Sequence, residues 1–190
     1  NDGTGRFTDV TESAGLAHVG HSSGAVFFDY DLDGHLDLFV CNVGVYTTDA
    51  KGPGGYYVGF GYLHSGPSDA FRAHRTPAPA ERSILYRNLG DGRFEDVTEA
   101  VGLVDTGWSG DASPVDLNGD RYPDLYVLNM QGDDHYWENV GGERFVERTG
   151  EYFERTPWGS MGIKFFDQNN DGRLDVLLSE VHSDMSKEGG

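Results

Sequence analysis

Short apolar runs separated by polar, glycine-rich turns organise this chain. FFDYDLDGHLDLFV (27–40) sets two apolar segments around a dense run of aspartates. The pattern returns as PVDLNGDRYPDLYV (114–127) and FFDQNNDGRLDVLL (165–178). A second pattern mixes aromatic and β-branched residues at strand length: RFTDVT (6–11), RFEDVT (93–98) and RFVERT (144–149). Ala25–Phe28 and Leu36–Cys41 read as strands entering and leaving the first aspartate run. ILYR (84–87) and HYWE (135–138) read as further strands, each followed by an Asn-x-Gly turn. Helix is supported only as single turns at Thr11–Ala14 and Thr98–Val101.

These patterns are copies of one unit. NDGTGRFTDVTESAGL (1–16) recurs as NLGDGRFEDVTEAVGL (88–103) at an offset of 87, and a weaker copy, NVGGERFVERT, starts at Asn139, 51 further on. The aspartate runs keep the same two offsets: Asp37, Asp124 and Asp175 are separated by 87 and 51. Two unrelated motifs sharing both offsets establish a repeat. Its frame divides the chain into 1–87, 88–138 and an incomplete 139–190, together one partial domain. The first copy is 36 residues longer, which places an insertion at about 43–82, rich in Gly, Pro, Tyr and His. It is too aromatic for a flexible spacer and reads as a decorated loop. Four short antiparallel strands per unit predict an all-β fold of propeller blades, three in number.

Within each aspartate run the oxygen-bearing residues alternate. Positions 1, 3, 5, 7 and 9 are Asp29, Asp31, Asp33, His35 and Asp37 in the first loop. They are Asp116, Asn118, Asp120, Tyr122 and Asp124 in the second, and Asp167, Asn169, Asp171, Arg173 and Asp175 in the third. Calcium takes six to eight oxygen ligands, and a tight loop can turn alternate short side chains toward one ion. Position 7 varies as His35, Tyr122 and Arg173, as expected if its backbone carbonyl is the ligand. The reading is therefore about three Ca²⁺, one per repeat. Magnesium's strict octahedral geometry fits less well, and zinc lacks Cys and His side chains at this spacing. An EF-hand needs Glu at position 12 and flanking helices. Val40, Val127 and Leu178 stand there, between strands. The plain competing account is that Asp, Asn and Gly favour turns; three loops in register weigh against it. Gly34 and Gly172 fall at the sharp turn at position 6, whereas the second loop has Arg121 there and Gly119 two residues earlier, which points to a different turn.

The pairing of LYRNLGDGRFEDVTEAVGL with FFDYDLDGHLDLFV resembles the FG-GAP/VCBS repeats familiar from the integrin α-subunit propeller. Its wording is similar to bacterial ASPIC/UnbV and cartilage-acidic-protein-like proteins. The resemblance covers nearly the whole chain outside 43–82. It implies a β-propeller with calcium in the hairpin loops, secreted to an extracellular, cell-surface or periplasmic location. Such propellers have about seven blades. Three repeats suggest a fragment of a longer chain, or an arc completed by other subunits.

Charge and composition narrow the function. The net charge of -18 excludes a nucleic-acid binder. Hydrophobic residues at 37% exclude a disordered acidic tail. No apolar run has the length of a membrane span. The lone Cys41 cannot form an internal disulfide, and the absence of an initiating Met and of a signal peptide fits a trimmed piece. The expected role is structural or adhesive, binding a protein or glycan, with Tyr46, Tyr56, Tyr57, Phe60 and Tyr62 of the insertion either meeting the partner or folding the insertion onto its blade. The alternative is a propeller-scaffold lyase or hydrolase acting on polysaccharide. His64, His74 and His182, with Glu180 and Asp184 nearby in sequence to the last, would be its candidates, but neither GxSxG nor HExxH occurs. His21, Trp108 and Trp158, each shortly before an aspartate run, are expected to pack between blades.

Overall fold

A computed structural model describes residues 3–44, 47–48, 56–57, 62–63, 80–130 and 132–180. Strands β1 (Ser22–Phe28) and β2 (Asp37–Asn42) form the first hairpin. Short strands β3 (Thr47–Thr48), β4 (Tyr56–Tyr57) and β5 (Tyr62–Leu63) lie in the insertion. Strands β6 (Ile84–Asn88) and β7 (Phe94–Asp96) complete a four-stranded antiparallel sheet in the order β1-β2-β6-β7. The second sheet repeats it with β8 (Ser109–Val115), β9 (Asp124–Asn129), β10 (His135–Val140) and β11 (Arg144–Glu147). After a one-turn helix α1 (Thr149–Tyr152), β12 (Ser160–Phe166) and β13 (Asp175–Glu180) form a third hairpin. The fold is all-β, and among the described residues the sheets do not close on one another.

The hairpins are superimposable in register. Phe28 pairs with Asp37, Val115 with Asp124 and Phe166 with Asp175, so each strand pair is closed by the same aspartate loop. Each carries one irregularity at the same place, after Ser22, Ser109 and Ser160. The sheets are offset from the sequence frame, since β7 of the first sheet comes from the segment that begins the second copy. A cyclic pattern has no unique starting point, so the two frames describe one unit.

Apolar faces hold the sheets together. Phe28, Phe39, Cys41 and Leu85 of the first sheet are buried with Ala112, Leu125, Val127 and Trp137 of the second. Tyr126, Leu128 and Tyr136 then pack with Ile163 of the third hairpin. Burying such side chains contributes roughly 1.5–3 kcal/mol each, so sheet-on-sheet packing is the main stabilising term.

Most predicted strands are present, with two corrections. RFTDVT forms no strand, while RFEDVT and RFVERT supply β7 and β11. The reason is pairing: β7 bonds to β6 and β11 to β10, whereas no described strand pairs with residues 6–11. Phe7 is consequently 80% exposed while its counterpart Phe145 is buried. Trp108 is buried as expected, and His21 is half-buried against Glu81, but Trp158 is exposed. Trp158 lies one residue out of step, because Gly159, at φ 84°, holds the place of Trp108. The single helical turns appear at the expected places, with Ala14 N–H donating to the Val10 carbonyl and Val101 N–H to that of Val97. Helix α1 is the third copy of this turn.

The insertion joins β2 to β6, which are adjacent strands. Its neck is a bridge between Gly44 and Ala80, beside a 2.8 Å bond from Glu81 N–H to the Val43 carbonyl. The same hairpin in the second sheet needs only residues 130–134. The side chains of Tyr46, Tyr56, Tyr57, Phe60 and Tyr62, and residues His64, His74, His182 and Asp184, lie outside the described residues.

Candidate metal centre

The three aspartate loops share one set of internal hydrogen bonds. The N–H at position 6 donates to the second carboxylate oxygen of position 1: Gly34 to Asp29, Arg121 to Asp116 and Gly172 to Asp167, at 2.8–2.9 Å. The N–H at position 7 donates to position 5: His35 to Asp33, Tyr122 to Asp120 and Arg173 to Asp171. The N–H at position 5 donates to the side-chain oxygen of position 3, Asp31, Asn118 or Asn169. Finally, the N–H at position 2 donates to position 9: Tyr30 to Asp37, Leu117 to Asp124 and Gln168 to Asp175.

The backbone repeats as well, which corrects the expectation of a different second turn. Positions 4 and 6 take positive φ in all three loops: Leu32 and Gly34, Gly119 and Arg121, Asn170 and Gly172. Two left-handed residues are required, and each loop puts glycine at only one of them. The second loop makes the opposite choice from the others, leaving Arg121 at φ 81°. Its one difference in bonding is that Gly119, not position 5, donates to Asp116 Oδ1.

Position 9 ties the loop to its sheet. Asp37 Oδ1 accepts the Asn88 N–H and Asp124 Oδ1 accepts the Asn139 N–H, both at 2.8 Å. The Asn side chains return the contact: Asn88 Nδ2 donates to the Leu36 carbonyl and Asn139 Nδ2 to that of Pro123. This explains why two motifs far apart in sequence share one offset. The asparagine of the Asn-x-Gly turn reads the aspartate loop of the adjacent strand.

In loop 1 the structure brings Asp29, Asp31 and Asp37 together, with one oxygen of each within 4.8 Å of the others. Asp33 turns aside toward the Arg87 guanidinium, which lies 2.7 Å from Asp31 and 3.3 Å from Asp33. In loops 2 and 3 position 3 is an amide, and Asn118 and Asn169 each donate to the aspartate at position 5. Glu138 occupies the place of Arg87 in the second sheet, and pairs with Arg148 at 3.2 Å. Sequence reasoning missed Arg87, Asn88 and Asn139; the Asn-x-Gly offset was the available signal for the asparagines.

The electrostatics fit a cation. Burial pushes the Asp37 carboxyl up to about 6; the N–H groups of Asn88 and Tyr30 oppose this, and Asp31 and Asp33 add to it. Burial also raises Asp124, against hydrogen bonds from Tyr136, Asn139 and Leu117. Asp167, in the open, is held below its ordinary value by the Gly172 N–H. Charge on the buried Asp37 and Asp124 is thus under-compensated by their neighbours, and a nearby divalent ion would correct that. The donors are all oxygens, and each carboxylate oxygen accepting one N–H keeps a second lone pair. That set suits a hard cation of flexible coordination, calcium before magnesium, and does not suit zinc.

Comparison with known families agrees with the repeat. The FG-GAP-like repeat model matches residues 76–127 and again 116–178, together more than half of the chain. The chain belongs to the FG-GAP-like repeat family. No curated protein sequence matches it. The matched residues include the second and third aspartate loops, and the first joins them through the shared register of its hairpin. No described helix is long and apolar enough to cross a membrane.

Proposed function

We propose that this FG-GAP-like chain is a calcium-binding, non-catalytic segment of a β-propeller, acting outside the cytoplasm as a structural or adhesive module for a protein or glycan partner. The observation that carries the reading is the triple identity of the loops, with the convergence of Asp29, Asp31 and Asp37. In each loop the side chains at positions 1, 3, 5 and 9 and the carbonyls of His35, Tyr122 and Arg173 would hold one ion. Calcium would supply charge neutralisation for loops whose ten aspartates otherwise repel one another. The chain's own residues hold the loops open for it: N–H groups orient each carboxylate, and Asn88 and Asn139 fix position 9 against the neighbouring strand. The partner surface is assigned to the insertion, the element in which the first repeat differs from the others, whose neck lies at the end of β2 away from the aspartate loop.

Elemental analysis of the purified chain, with thermal unfolding in calcium and in excess chelator, tests this. About three ions per chain, and a melting point that falls on chelation, are expected. Absence of bound calcium with an unchanged melting point would reduce the loops to self-satisfied turns.

A further inference from the structure

Asn139 is fully buried and touches two loops at once. Its Nδ2 donates to the Pro123 carbonyl of loop 2 at 3.0 Å and to the Tyr30 carbonyl of loop 1 at 2.8 Å. The Tyr30 N–H donates in turn to Asp37 Oδ2 at 3.0 Å, and the Asn139 N–H donates to Asp124 Oδ1 at 2.8 Å. Asp37 and Asp124, the position-9 carboxylates of two different loops, are therefore joined by an unbroken run of hydrogen bonds through Tyr30 and Asn139.

A second contact runs beside the first. Asn139 Oδ1 accepts the Gly142 N–H at 2.9 Å, which holds the turn 139–142 between the loops. A Cβ added at Gly142 would stand 2.9 Å from the Asp31 Cα and 3.0 Å from the Tyr122 ring. Residue 31 is at position 3 of loop 1 and residue 122 at position 7 of loop 2. The turn is thus a spacer without slack, and displacement of either loop is felt by the other. Asn88, the counterpart in the first sheet, reaches only its own loop through Leu36. Among the described residues no asparagine plays this part between loops 2 and 3.

We propose that loops 1 and 2 take up their cations as a positively coupled pair linked through Asn139. This rests on the calcium reading above. Ordering Asp37 in loop 1 holds the Tyr30 N–H, which restrains residue 30 and the carbonyl that accepts from Asn139, and Asn139 in turn meets Pro123 through its side chain and Asp124 through its N–H. The first ion thereby meets part of the ordering cost of the second, which is the condition for positive cooperativity. Direct repulsion between two dications works in the opposite sense, so the sign of the coupling is itself informative.

Calcium titration of the full chain, followed by NMR at the position-6 amides of Gly34, Arg121 and Gly172, reports each loop separately. Asp29→Asn with Asp31→Asn disables loop 1 while leaving Asp37, Tyr30 and Asn139 in place. The expected result is a loss of about 5-fold or more in calcium affinity at loop 2, with loop 3 changed by less than about 2-fold. In an Asn139→Ala background, or Asn139→Asp should the alanine variant not fold, disabling loop 1 should leave loop 2 unaffected. Three bound ions with loop 2 indifferent to loop 1, or strengthened by its loss, would overturn the coupling and leave the calcium reading standing. No calcium at any loop would overturn both.

Discussion

The first two aspartate loops and the third share four internal hydrogen bonds but have different surroundings. Asp124 accepts from Leu117, Asn139 and the Tyr136 hydroxyl, the last at 2.6 Å, and is fully buried. Asp175 accepts from Gln168 on a hairpin that has two strands among the described residues. The nine-residue turn is therefore a local object, specified by its own aspartates and two left-handed residues. In the first two sheets a third strand stands beside the turn. What that strand adds is attachment, by an asparagine that clamps the finished turn to the sheet.

The largest expected effect separates ion from clamp. Saturating calcium at a hundred times its Kd should stabilise the fold by about 2.7 kcal/mol per filled site. Chelation of three sites should then lower the melting temperature by 10 °C or more, roughly, for a chain of this size. Hydrogen exchange during chelation should show the third loop opening before the second, because Asp175 is partly exposed whereas Asp124 is fully buried.

A smaller effect, measured in excess chelator so that no ion contributes, tests the clamp. Asp124→Ala leaves two backbone N–H groups and a buried phenol without an acceptor and should cost about 3 kcal/mol or more in chemical denaturation. Asp175→Ala, which removes one partly exposed acceptor, should cost about 1 kcal/mol. Equal losses would mean that attachment to the sheet contributes nothing.

Smaller still is the cost of a left-handed arginine. Arg121→Gly gives loop 2 the same residue type at position 6 as loops 1 and 3 and should stabilise the protein by about 1 kcal/mol. Crowding at Arg121 from some other source would show as no gain.

The smallest effect concerns the far end of the second sheet. The Asp105 carboxylate, 3.3 Å from His135, raises the histidine's pKa against the opposing effect of burial. A raised histidine stabilises the fold fully below its unfolded value near 6.5, and that contribution fades as pH rises through the folded value. Stability should decline modestly from about pH 6 to 8 on this account, and His135→Gln should flatten the profile. A His135→Gln curve parallel to that of the unsubstituted chain would remove the pair from the account.

The strand pattern and the loops were legible because both are local. Alternating aspartates specify the turn, and short β-branched and aromatic runs specify the strands. Three things were not legible. RFTDVT has the composition of a strand, but a strand exists only when its N–H and C=O groups find a partner. Trp158 has the composition of a core residue, but a one-residue slip places Gly159 in the buried position. The reach of Asn139 from one loop to the next depends on how two sheets stack, which no spacing along the chain reveals. The Arg121 turn was misread for a simpler reason: two positions need a left-handed backbone, and each loop marks only one of them with glycine.

The neck at Gly44 and Ala80 has a consequence for change over time. Because β2 and β6 are already paired and the ends of the insertion are held together, the cost of lengthening that connection grows only logarithmically with its length. The sheet is nearly indifferent to what is spliced there. The position works as a socket, in which sequence can be exchanged for new recognition without renegotiating the fold, whereas the loops at the opposite end are bound to their register by every aspartate they contain.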